Sequence, residues 1–108
     1  MTAALHLNSI TCIKQQETFG DELYLTFNGG RIALPNMTTG ATKALSGDYY
    51  FGGSASLSLF ENDGNHWYDR DDHIATVTIS ESKAPGGAFK VDFLGGGAHY
   101  VMDVDVWM

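Results

Sequence analysis

Apolar residues in this chain recur at every second position, and no stretch sustains the i, i+3, i+4, i+7 spacing of an amphipathic helix. Leu23, Leu25 and Phe27 share one face, with Tyr24 and Thr26 on the other. Ala55, Leu57 and Leu59 alternate with serines, and Ala75, Val77 and Ile79 alternate with Thr76, Thr78 and Ser80. Phe89, Val91 and Phe93 alternate with Lys90 and Asp92, and Tyr100, Met102, Val104 and Val106 share a face opposite Asp103 and Asp105. Each run fits a strand with one buried face. The first run, Leu5–Lys14, changes phase between Leu7 and Ile10, which predicts a bulge near Asn8–Ser9. Weaker strands are expected over Arg31–Pro35 and Ala41–Tyr50.

Glycine-rich turns separate these runs: Asn28-Gly29-Gly30, Gly52-Gly53, Pro85-Gly86-Gly87 and Gly95-Gly96-Gly97. About eight strands at this spacing predict an all-β, eight-stranded antiparallel β-sandwich. At 108 residues the chain is read as a single domain over 1–108, large enough for one core. One cysteine, Cys12, excludes an internal disulfide and is expected inside a strand. No apolar run approaches the ~18 residues of a membrane-spanning helix. Met1–Leu7 lack the charged-then-apolar pattern of a secretory leader, which leaves a soluble, peripheral-membrane or exported location open.

Thirteen Asp and Glu against six Lys and Arg give a net charge of −7, the wrong sign for a nucleic-acid binder. The acids are unevenly placed. Antiparallel succession puts the loops Gln15–Asp21, Asn36–Gly40, Glu61–His73 and Gly95–Ala98 at one end of the sandwich. Eight of the 13 carboxylates fall in or beside two of these loops: Glu17, Asp21, Glu22, Glu61, Asp63, Asp69, Asp71 and Asp72. Crowded like charges repel. A hard divalent cation such as calcium, which takes six to eight oxygen ligands, relieves that repulsion, and a well-solvated acidic loop is the alternative. The EF-hand pattern does not fit: from Asp63 the sixth and twelfth positions are Tyr68 and Ile74, where Gly and Glu are required.

The segment Leu59-Phe60-Glu61-Asn62-Asp63, followed by Asp71-Asp72-His73-Ile74-Ala75, resembles the third calcium loop of C2 domains. Gly20-Asp21-Glu22-Leu23-Tyr24-Leu25 is similar to the stretch after that family's first calcium loop. The resemblance implies a C2-like sandwich that binds Ca2+ and docks on anionic phospholipid. It assigns Glu61 and Asp63 to the Asp-x-Asp pair, Asp72 to the closing acid and Glu22 to the loop-one acid. Glu17 or Asp21 would stand for the earlier loop-one acid, with Asp69 or Asp71 as an additional ligand. Phe19, Trp67 and Tyr68 sit at loop tips, where aromatic side chains suit a membrane–water interface. Trp67 folded back onto the sandwich, or aromatic stacking on sugar rings, are the competing readings, so a calcium-stabilised carbohydrate- or protein-binding module stands as the alternative.

Enzyme chemistry finds little support. His6, His66, His73 and His99 are scattered, with no helical His-x-x-x-His pair. There is no Gly-x-Ser-x-Gly segment, and no Lys-Ser follows Asn28-Gly29-Gly30 or Gly95-Gly96-Gly97. The chain is therefore read as non-catalytic.

Overall fold

The computed structural model describes residues 2–62, 71–84 and 86–108. The expected positions Asp63, Asp69, Trp67 and Tyr68 lie outside the described residues. Among the described residues, nine strands form two antiparallel sheets: β1 (Ala3–Lys14), β2 (Leu23–Phe27), β3 (Gly30–Ala33), β4 (Thr42–Ala44), β5 (Asp48–Phe51), β6 (Ser54–Glu61), β7 (Asp72–Ser80), β8 (Phe89–Gly95) and β9 (Ala98–Trp107). One sheet runs β3-β2-β6-β7; in the other, β4 and β5 both pair with β1, followed by β9 and β8. The two sheets face each other as a β-sandwich.

The alternation read from sequence is what drives the sheets together. Leu5, Leu7, Ile10, Cys12, Phe93, Tyr100, Met102, Val104 and Val106 from one sheet meet Leu23, Leu25, Ala55, Leu57 and Leu59 from the other, all buried. Burying each large aliphatic or aromatic side chain contributes roughly 1.5–3 kcal/mol. The phase change in the first run is a register shift between Leu7 and Ser9, which returns Ile10 and Cys12 to the core face.

The expected strand Ala41–Tyr50 is two short strands instead, which is why nine strands stand where eight were expected. β4 pairs with Ser9–Thr11 and β5 with Ala3–His6, on either side of the β1 bulge. The bulge bends β1, and the edge strand follows by breaking at Gly47, whose φ is +117°. The backbone N–H of Leu45 donates to Asn8 O at 2.8 Å across the break.

A second irregularity lies at the loop end. Leu59 pairs with Ala75 but Phe60 pairs with His73, so Ile74 is an extra residue that also turns inward and is buried. Gly95, closing β8, packs against this bulge: a Cβ there would collide with the Ile74 carbonyl oxygen. Replacing Gly95 with Ala is expected to cost about 1–3 kcal/mol through that overlap. Thermal denaturation checks it, with a lowered Tm as the expected outcome.

Candidate metal centre

Two loops, one turn and the end of β6 come together at the end of the sandwich where the acidic residues collect. Gln15 fastens the β1–β2 loop to the β3–β4 loop: its backbone N–H donates to Thr39 Oγ1 at 2.9 Å and its Oε1 accepts from the Thr39 N–H at 2.8 Å. Gln16 Nε2 donates to Gly96 O at 2.9 Å, reaching the β8–β9 turn. Asp21 and Met37 exchange backbone hydrogen bonds of 2.8 and 2.9 Å. The Asn62 N–H donates to Glu22 O at 2.7 Å, tying in the end of β6.

Glu61, Asp72 and Glu17 meet at this end, each offering a carboxylate oxygen, and the three oxygens lie within 4.8 Å of one another. Their placement follows from strand phase. Glu61 continues the inward face of Leu57 and Leu59, so it is only 4% exposed at the mouth of the sandwich. Asp72 faces it across the β6–β7 ladder. Glu17 arrives from the β1–β2 loop, 44 positions earlier than Glu61 in the chain. An all-oxygen anionic donor set is the type that a hard divalent cation takes. Carboxylates converging from separate loops therefore fit calcium in chemistry, and water and carbonyls would complete its shell.

The other expected ligands are placed differently. Asp21 is 0% exposed and its carboxylate is committed inside the protein. The backbone N–H groups of Gln16 and Glu17 each donate to it at 2.8 Å, and the Tyr100 hydroxyl donates a short hydrogen bond to Oδ2. Asp21 thus shapes the loop that carries Glu17 and is not brought into the three-carboxylate group. Asp71 accepts a hydrogen bond from the Tyr24 hydroxyl at 2.6 Å. Glu22 lines a cleft with Phe19, Met37, Thr38 and Lys43 and is not among the three carboxylates that meet. Phe19 is 96% exposed at the loop tip.

Tyr100 is the residue that sequence reasoning left unassigned. Alternation places it on the buried face, and a buried hydroxyl needs a partner; that demand was the available signal. Burial first, then the hydrogen bond to Asp21, push its hydroxyl far above the ordinary tyrosine range. Tyr24 is raised as well, by burial and then by Asp71, with Arg31 opposing. Arg31 sits 3.7 Å over the Tyr24 ring, which stacks on Phe60 at 5.0 Å, and Phe60 contacts His73 at 5.2 Å.

No protein-family model matches the chain, and no curated protein does. Solved structures do match. A human GIVD cytosolic phospholipase A2, solved with an inhibitor and terbium chloride, superimposes with a TM-score of 0.61 at 15% identity over 99% of this chain. The calcium-bound tandem C2 domains of Extended-Synaptotagmin 2 give 0.62 at 12% identity over 98% of it. A structure described simply as a C2 domain gives 0.58 at 10% identity and covers 100% of this chain and 99% of its own. The fold is therefore a C2-like β-sandwich. The chain spans 17% of the phospholipase and 44% of the Extended-Synaptotagmin chain.

A tyrosine whose folded pKa is raised holds its proton more tightly in the native state than in the unfolded state. Its contribution is complete below the ordinary value of 10.0 and declines as pH climbs past it. Stability is expected to fall above that pH. Tyr100→Phe is expected to cost about 1.5–3 kcal/mol at neutral pH, the range for a hydrogen bond to a charged group. It should also flatten the alkaline decline. Urea titrations of both proteins from neutral to alkaline pH measure the two effects together.

Proposed function

We propose that this chain is a calcium-binding, non-catalytic domain that docks on anionic phospholipid through its acidic loop end. The observation that carries this reading is the convergence of Glu17, from the β1–β2 loop, with Glu61 and Asp72, at the facing ends of β6 and β7, to within 4.8 Å. The calcium-bound neighbour of the same fold supports it. Without metal, the negative loop end repels phosphate headgroups. A bound divalent ion offsets two of the three carboxylate charges and offers open coordination positions to a phosphate oxygen. Asp63 and Asp69, from the loop between Glu61 and Asp72, are proposed as further ligands. Phe19, already presented to solvent, and Trp67 and Tyr68 enter the headgroup layer once the charge beneath them is offset. Among the described residues no helix is long and apolar enough to cross a membrane, so attachment in this reading is peripheral.

Calcium at a hundredfold excess over its Kd should stabilise the fold by roughly 2.7 kcal/mol, visible as a raised Tm. Combining Glu61→Gln with Asp72→Asn should abolish most of that rise and leave a folded protein without metal. A double variant that keeps the full rise refutes the ligand assignment.

Cosedimentation with phosphatidylserine vesicles tests the membrane half. Binding should require calcium, and Phe19→Ala should weaken it about tenfold, the equivalent of one buried aromatic side chain. Calcium stabilisation without vesicle binding would instead point to a calcium-stabilised carbohydrate- or protein-binding module.

A further inference from the structure

The eight carboxylates that the sequence assigns to the loop end leave five others in the chain, and four of these lie on one surface: Asp48, Asp92, Asp103 and Asp105. Strand phase sends all four outward from the five-stranded sheet. Among the described residues none of the four is ion-paired with Lys or Arg. Asp48 meets His6 at 2.7 Å, Asp92 meets His99 at 2.9 Å, and Asp103 accepts from Asn8 at 3.0 Å. Asp48, His6 and Asp105 form one row across β5, β1 and β9.

The next row on the same face is Tyr50, Ala4 and Trp107, again in register across the same three strands. Tyr50 is 69% exposed and Trp107 52%. Two large aromatic side chains thus stand in solvent on either side of a methyl group. Their backbones are two strand spacings apart, roughly 9.5 Å. Stacking contacts on both sides of a flat group occupy about 7–8 Å. The slot over Ala4 therefore has the width for one planar group.

We propose that this face docks an arginine-bearing segment of a partner protein, with a guanidinium seated over Ala4 between Tyr50 and Trp107. Lys90 stands opposite Asp103 and Lys14 beside His99 farther along the face, whereas Asp48 and Asp105 next to the slot have no lysine in register with them. The charge beside the slot selects a cation, and the shape of the slot selects a flat one. Guanidinium is planar, weakly hydrated and stacks on aromatic faces, whereas an ammonium is compact and strongly hydrated. Asp48 and Asp105, one row away, offer carboxylate oxygens to its N–H groups. Tyr, Trp and Arg are also the side chains over-represented at the energetic centres of protein interfaces. This surface does not use the loop-end carboxylates, so it stands apart from the calcium reading.

The test is an NMR titration of the 15N-labelled protein with a tetra-arginine amide peptide, in excess calcium chloride, with tetra-lysine amide as the comparison. Amide shifts should centre on Ala4, His6, Tyr50, Asp105 and Trp107. The lysine peptide should bind about fivefold or more weakly, and Tyr50→Thr with Trp107→Leu should reduce arginine-peptide affinity about tenfold. Asp105→Asn, a surface change that spares the core, should reduce it severalfold. Shifts confined to Glu17, Glu61 and Asp72, no shifts at all, or equal binding of the two peptides would overturn the proposal. The map on the unaltered protein decides this even where a variant fails to fold.

Discussion

The hydrogen bond from Tyr100 to Asp21 is the contact on which the loop end depends. It joins a residue of the hydrophobic core to a carboxylate with no solvent access. A buried carboxylate is costly unless its oxygens are satisfied. Here one hydroxyl and two backbone N–H groups satisfy it, and those N–H groups belong to Gln16 and Glu17. The requirement to satisfy Asp21 therefore fixes the backbone that carries Glu17, while β-sheet pairing fixes Glu61 and Asp72. A core interaction and a ladder interaction, remote in sequence, set the positions of three surface and near-surface carboxylates.

Charge on this sandwich is organised by surface. The net −7 divides mainly between the loop end and the outer face of the five-stranded sheet. The outer face of the other sheet is different in character, built from the Arg31, Tyr24, Phe60 and His73 ladder with Ser58 bonded to Thr76 at 2.7 Å. That ladder packs polar and aromatic groups against one another, and Asp71 takes part in it through Tyr24. The acids of the chain thus take up separate physical roles: shaping a loop, holding a surface ladder, gathering at the loop mouth and lining an exposed face.

Strand phase was the most legible property of the sequence. Alternation located the core positions of β1, β2, β6 and β9, and the phase slip before Ile10 located the β1 bulge. The consequences of that bulge were less legible. The division of Ala41–Tyr50 into two strands arises from β1 bending beneath its neighbour, a tertiary effect that the edge sequence alone does not encode. The inward turn of Ile74 is similar, since it depends on a register shift against β6. At the loop end, counting strands was enough to bring acidic loops together. Distinguishing Asp21 from Glu17 was not possible that way, because both are loop acids in sequence. Only the placement of the Tyr100 hydroxyl beneath the loop separates the buried carboxylate from the solvent-facing one.

We propose that Glu17, Glu61 and Asp72 together hold a hard divalent ion, and isothermal titration of the metal-stripped domain with calcium chloride decides it. Saturable heat with a defined stoichiometry is expected, and it disappears in the protein carrying Glu61→Gln and Asp72→Asn. A flat titration up to millimolar calcium would refute calcium binding at this site.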